Sequence, residues 1–394
     1  MDIDLPDVLA DVRLPFDSTE VAETLRLERY VPYSHNGHGK PPQERSLWNA
    51  YRLLRPILPV SVRKHLHRFY MRGWDRLSFP RWPVDTTVDH IFERRLALVL
   101  RARGVDRVPF VWFWPEGAPA CAVVTHDVET LAGRNFCSSL MDLDDSFGVK
   151  SSFQIVPERR YPVTTSFLAG LRRRGFEINV HDLDHDGQLF ASRSEFLRRA
   201  KRINDYGKEF GAVGFRSGNL YRNQQWFEAL DFSYDMSVPN VAHLDPQRGG
   251  CCTVLPFFIG DVLELPLTTT QDYSLFHVLN DYSLDLWKRQ IALVTEQHGL
   301  ASFIVHPDYV VDRRARHTYQ ALLAHLAQLR ADGALWIPLP REVDRWWRER
   351  SEMTVVADGP GWRIEGKGSE RARLAFASLE GDKLTFTVDG RRLR

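Results

Sequence analysis

From Ala120 onward, short apolar runs alternate with longer amphipathic stretches, and this alternation limits the fold more than any other feature of the chain. The runs are Ala120–Thr125, Ser151–Val156, Phe176–Val180, Ala212–Phe215, Phe232–Met236, Val262–Leu265, Ser302–Val305 and Leu335–Ile337. Most are apolar throughout, as strands buried on both faces are. Ser194–Tyr206, Ser283–Gln297 and Ala315–Arg330 carry helical periodicity between them. Strands alternating with helices predict an α/β fold, a distorted (β/α) barrel over 118–350. An open doubly wound sheet is the alternative, but no G-x-G-x-x-G follows a strand to support a dinucleotide site.

The flanks read differently. Residues 1–117 form an N-terminal helical and irregular region punctuated by Pro41, Pro42, Pro56, Pro59, Pro80 and Pro83. Between Tyr51 and Trp82 stand Arg52, Arg55, Arg63, Lys64, Arg68, Arg72, Arg76 and Arg81 against the single acid Asp75. Leu66, Phe69, Tyr70, Trp74, Leu77 and Phe79 are interleaved with them. Such a stretch suits either a solvated basic face packed on the main domain or a peripheral contact with an anionic membrane surface. Residues 351–394 read as a small C-terminal β-element, with strands at 354–357, 362–365, 372–377 and 383–388 separated by glycine-bearing turns.

Whole-chain charge excludes more than it suggests. The 394 residues hold 52 Lys and Arg against 51 Asp and Glu, which excludes a strongly basic nucleic-acid binder. No apolar run reaches the roughly 18 residues of a membrane span. The acidic N-terminus lacks the basic and apolar regions of a secretory signal, so a cytoplasmic location is expected. Cys121, Cys137, Cys251 and Cys252 form no CxxC pair and read as free thiols of a reducing compartment.

Polar residues gather where the strands end. Thr125-His126-Asp127-Val128-Glu129, His181-Asp182-Leu183-Asp184-His185, Arg216-Ser217-Gly218-Asn219, Asp235 and His306 each close a different apolar run. In a barrel the C-terminal strand ends share one mouth, so these groups should converge. His181 and His185, four apart, fit one face of a helical turn. Two imidazoles and a carboxylate suit a divalent metal and leave positions for water and a substrate oxygen. A second carboxylate would take the water's proton, a separate histidine would protonate the leaving group, and Arg216 would hold that carboxylate ionised. His126, adjacent to Asp127 on a strand, should face the other way.

In this order the motifs Thr-His-Asp-Val-Glu, His-x-x-x-His, Phe-Arg-Ser-Gly, Tyr-Asp-Met-Ser and Val-His resemble those of the polysaccharide deacetylase family (carbohydrate esterase family four), over about 118–345. The resemblance implies a distorted barrel that hydrolyses an N- or O-acetyl group on a sugar. It implies Asp127 as general base, His181 and His185 as metal ligands, and Arg216 as the arginine holding the base. Asp235 would tune the acid His306, and Asn219 and Tyr221 would lie against the substrate. Where the family carries a second aspartate after the base, this chain has Val128. Glu129 is then the carboxylate ligand, unless Asp127 itself binds metal and is not the base. The motif after Arg216 also departs, reading Ser217-Gly218 in place of Pro-Tyr. The implied metal is zinc, with nickel, cobalt and manganese compatible. The partner is an acylated sugar or glycan. The alternatives are a hydrolase of another C–N bond, such as a formamide or ureide, and a non-catalytic glycan-binding relative.

Overall fold

A strand buried on both faces must send alternate residues to two different cores, and β2 (Ala120–Val128) does so. Ala122, Val124 and Val128 join an outer core with helix residues such as Leu140, Leu322 and Leu326. Cys121 and Val123 join an inner core with Tyr234, Met236, Leu263, Leu265 and Leu300. The computed structural model describes residues 17–31, 65–66, 68–381 and 383–393. Arg52, Arg55, Arg63 and Lys64 of the basic stretch lie outside the described residues.

The protein is a distorted (β/α) barrel. After α1 (Ser18–Arg26), α2 (Thr87–Arg103) and β1 (Arg107–Val111), the barrel begins at β2. It continues through α3 (Leu131–Ser146), β3 (Ser152–Ile155), α4 (Thr165–Arg173), β4 (Glu177–His181), α5 (Arg193–Phe210), β5 (Gly214–Arg216) and β6 (Tyr234–Asp235). Then come β7 (Phe257–Ile259), β8 (Val262–Glu264), α6 (Asp285–Glu296), β9 (Leu300–Ile304), α7 (Arg313–Ala331), β10 (Leu335–Trp336) and α8 (Pro340–Glu352). The path β10-β2-β3-β4-β5-β6-β8-β7 is hydrogen-bonded throughout, and β9 pairs with β2. Every pair is parallel except β7 with β8.

The distortion lies between β8 and β9, where no strand ladder is formed among the described residues. Threonine hydroxyls substitute for it. Thr268 Oγ1 donates to the Leu300 carbonyl at 2.6 Å and accepts from Ser302 N at 3.0 Å. Thr269 Oγ1 donates to the Ser302 carbonyl at 2.6 Å. These bonds satisfy strand-edge groups that would otherwise be buried unpaired.

One end of the barrel is plugged by aromatic residues. Trp112, Phe113, Trp114 and Trp346 are almost wholly buried and share the inner core with Phe386. Their indole N–H groups are paired. Trp114 donates to the His298 carbonyl, Trp346 to that of Phe113 and Trp112 to that of Ala118. At roughly 25 cal/mol per Å², each buried indole contributes about 4–6 kcal/mol before entropy costs. Arg350, on α8, donates to the Val111 and Trp112 carbonyls and ties helix to plug.

The tail forms β11 (Thr354–Asp358) with β12 (Gly361–Glu365), then β13 (Leu374–Glu380), β14 (Lys383–Val388) and β15 (Arg391–Leu393). The first two are a hairpin, whereas the last three join β1 in an antiparallel sheet, β1-β13-β14-β15. Residues 107–111, expected within the N-terminal region, form a strand that pairs with Leu374–Ser378 at the other end of the chain. At the N-terminus, Asp17 caps α1 by accepting from Thr19 N and Glu20 N. That segment is anchored by a buried pair between Glu28 and Arg222 and by Tyr30 OH donating to the Gly250 carbonyl at 2.8 Å.

Gly214 in β5 is required by close approach. A Cβ there would fall 2.2 Å from Tyr234 Cζ, and the Tyr234 hydroxyl is fixed by donating to Glu177 at 2.6 Å. Gly214→Ala is therefore expected to cost about 1–3 kcal/mol in urea denaturation. A change below about 0.5 kcal/mol would contradict the packing described.

Candidate metal centre

Inward-facing positions of β2 run Cys121, Val123, Thr125 and Asp127, with Glu129 just beyond the strand. The polar residues thus begin where the apolar filling ends. β4 contributes His181, β5 Arg216 and the end of β9 His306. His126 takes the outward parity. Its Nδ1 lies 3.0 Å from the Val305 carbonyl and its Nε2 3.0 Å from Asp144 Oδ2, beneath α3 and away from the mouth.

Arg216 is wholly buried, and its guanidinium is satisfied by three groups. Nη1 donates to Asp127 Oδ1 at 2.5 Å and to Thr125 Oγ1 at 2.8 Å, and Nε donates to the Met236 carbonyl at 3.0 Å. Burial disfavours the Asp127 charge, but Arg216, with His181 and His306, outweighs it and holds the carboxyl below its usual range.

Around Glu129 lie three imidazoles. Glu129 Oε1 is 2.9 Å from His185 Nε2, 3.3 Å from His306 Nε2 and 3.5 Å from His181 Nε2. Asp127 Oδ2 stands 3.7 Å from His181 Nε2. Donor atoms of Glu129, His181 and His185 lie within 4.8 Å of one another, as do those of Asp127, Glu129 and His306. His181 Nδ1 is 3.1 Å from the Arg216 carbonyl, a contact that requires N–H there and leaves the Nε2 lone pair facing the cluster. Nε2 of His181 and of His185 have Glu129 Oε1 as their neighbour, and His185 Nδ1 is buried without a hydrogen-bond partner. Burial lowers the His181 pKa, yet Asp127 and Glu129 raise it above its ordinary value overall. The carboxylates thus favour positive charge between the imidazoles, which a divalent cation would supply. The donor set fits such an ion.

The two ligand-type histidines do not share a helical turn. Residues 182–188 form a bent loop in which Asp182 (φ 56°) and His185 (φ 53°) take left-handed backbone. Four-residue spacing fits a helix, but here the two left-handed residues bend the loop and the rings come to 4.9 Å. It passes close to Gly218, where a Cβ would lie 2.4 Å from Asp182 Oδ2 and 3.0 Å from His185 Cδ2. Arg199 from α5 holds the loop's far side, donating to Asp184 at 2.9 Å and to Asp186 at 2.8 and 2.9 Å.

The partner of His306 is also different from the expected one. Asp235 lies between Tyr234 and Met236, which face the inner core, so its own side chain faces outward. There it accepts from Ser237 N at 2.9 Å and Ser237 Oγ at 2.8 Å, beside Glu264. Ser237 Oγ accepts from Ser217 N at 2.9 Å, so Asp235 supports the turn after Arg216. His306 instead meets Asp272, whose Oδ1 is 2.6 Å from Nδ1 and whose Oδ2 accepts from the His306 backbone N at 2.7 Å. Burial lowers the His306 pKa, but Asp272 and Glu129 overcome it and raise it well above the ordinary value. Asp272 follows a Thr-Thr-Thr-Gln run with no strand signal, so only its position beside β9 identifies it. Asn219 (φ 55°) and Tyr221 lie on the loop after Arg216, both half-buried.

No family model matches the chain, and no curated protein matches it. Among solved structures it is similar to a Mycobacterium smegmatis protein assigned as a polysaccharide deacetylase. That match has 16% identity and a TM-score of 0.48, over 61% of this chain and 94% of that one. It is similar to the Puue allantoinase at 12% identity and a TM-score of 0.48, over 60% and 92%. It is also similar to the peptidoglycan deacetylase PdaC of Bacillus subtilis at 13% identity and a TM-score of 0.37, over 59% and 93%.

The geometry separates the histidines that could hold a metal from the structural His126. If the cluster holds zinc, His181→Ala and His185→Ala should each weaken its binding at least tenfold in calorimetric titration. His126→Ala should leave zinc stoichiometry unchanged and lower stability by about 1–3 kcal/mol, because Asp144 loses a buried partner. Loss of zinc binding in His126→Ala, with full binding in His185→Ala, would overturn the assignment.

Proposed function

We propose that the chain is a metal-dependent hydrolase that removes an acetyl or related acyl group from a sugar or polysaccharide. The observation that carries this reading is the convergence at one mouth of Glu129, His181 and His185 with Asp127 clamped by Arg216 and His306 backed by Asp272. The motif order resembling the polysaccharide deacetylase family points the same way. Glu129, His181 and His185 would hold the ion, with zinc preferred for a two-imidazole, one-carboxylate set. Such an ion, when bound, polarises an acyl carbonyl and acidifies water.

The chain's own residues divide the proton transfers. Asp127, held ionised by Arg216, accepts a proton from the attacking water. His306, held protonated by Asp272, gives its Nε2 proton to the departing nitrogen or oxygen. The acyl bond breaks, the acyl carbon gains the water oxygen, and a carboxylic acid and an amine or alcohol leave. Asn219 and Tyr221 are proposed to line the substrate side of the mouth. We place this activity in the cytoplasm, in keeping with four cysteines that are all free and buried. Among the described residues no helix is long and apolar enough to cross a membrane.

The test is acetate release by zinc-loaded and chelator-stripped protein over N- and O-acetylated sugars, with formamide and ureide compounds included. Turnover should vanish on stripping and return with one equivalent of zinc. No turnover on the whole panel, with calorimetric glycan binding that ignores zinc, would favour a binding protein instead. Asp127→Asn should keep zinc while losing about 10²–10⁴ in kcat, and should lower stability because the buried Arg216 loses its carboxylate. Asp272→Asn should lose about 10²-fold in kcat with little change in KM, and Asp235→Asn should lose much less. Equal losses in the two variants would contradict the pairing of His306 with Asp272.

A further inference from the structure

Residues 65–66 and 68–81 sit at the rim of the mouth. Arg68 Nε donates to the His277 carbonyl at 2.7 Å. The His277 ring meets Tyr309 with centroids 4.8 Å apart, and Tyr309 meets His306 at 4.7 Å. Tyr70 OH donates to the Pro246 carbonyl at 3.4 Å. Two ring contacts thus join this segment to the proposed acid.

The segment is only partly packed. Met71 is buried, and Trp74 meets Trp82 edge-on at 4.9 Å. Phe69 is 73% exposed, Leu66 42% and Phe79 40%. Arg68, Arg72, Arg76 and Arg81 are exposed beside them, with Asp75 the one exposed acid between Leu66 and Arg81. In sequence, 51–64 adds four basic residues and no acid. Exposed phenylalanine and leucine among arginines are poorly accommodated by water alone. They suit the boundary of an anionic bilayer, where rings enter the acyl edge and guanidinium groups meet phosphates.

We propose that this rim is a membrane-docking surface for anionic phospholipid, which turns the mouth of the barrel toward the bilayer. Leu66 and Phe69 insert at the acyl boundary, and Arg72 and Arg76 contact headgroup phosphates. The docking stands on its own geometry. Its use, presenting glycan carried at a membrane surface to the site, rests on the hydrolase reading above.

Co-sedimentation with vesicles tests this on the full chain, comparing pure phosphatidylcholine with phosphatidylcholine mixed with phosphatidylglycerol. The protein should bind the anionic vesicles and not the neutral ones, more weakly as salt rises. Arg72→Glu with Arg76→Glu should cut binding roughly tenfold or more. Leu66→Ser with Phe69→Ser should also cut it severalfold at unchanged charge. Both double variants should keep the wild-type melting temperature and turnover on a soluble acylated sugar, so docking fails or succeeds separately from hydrolysis. Absence of binding to anionic vesicles, or binding untouched by the arginine variant, would overturn the proposal. Full binding by the Leu66/Phe69 variant would overturn it too, since the arginines would then serve a soluble polyanion.

Discussion

Arg216 and Asp127 form the contact on which the mouth depends. A guanidinium with no exposure survives only if its charge and its donors are met, and here one carboxylate, one hydroxyl and one carbonyl meet them. These partners come from β2 and from Met236 just after β6, while Arg216 itself ends β5. The contact therefore ties both sides of the barrel across its interior. Breaking a buried pair of this kind by removing one partner typically costs about 3–5 kcal/mol. The same contact fixes the proposed base and keeps it ionised, so stability and chemistry draw on one interaction.

Three buried histidines share nearly the same setting yet differ in what holds Nδ1. His181 has a backbone carbonyl there, which keeps that ring nitrogen protonated and directs a lone pair from Nε2 to the cluster. His306 has the Asp272 carboxylate there, which favours the doubly protonated ring and a donor at Nε2. His126 has a carbonyl on one side and Asp144 on the other, and faces no opening. The proposed ligand and acid roles, and the structural one, thus follow from hydrogen-bond partners rather than residue type.

Much of this was legible in the sequence. All eight expected barrel strands overlap an observed one, because strands buried on both faces leave continuous apolar runs that need no partner to be recognised. Asp127, Glu129, His181, His185, Arg216 and His306 come together because they end those runs at a shared edge. What failed depended on parity or distant pairing. Asp235 ends a strand too, but on the outward face, and Asp272 reaches His306 from an irregular segment. The histidine spacing looked helical, whereas two left-handed residues fold it as a loop. The pairing of β1 with β13 joins segments with no local signal for each other.

The proposal at the centre of this reading is that Glu129 is the carboxylate ligand of a metal, with Asp127 free as base. Anomalous diffraction at the zinc edge on zinc-loaded crystals tests it most directly. One peak is expected about 2.0–2.2 Å from a Glu129 oxygen and from Nε2 of His181 and His185, with Asp127 still on Arg216. A peak bound by Asp127 with Glu129 turned away, or no peak in the mouth, would contradict it.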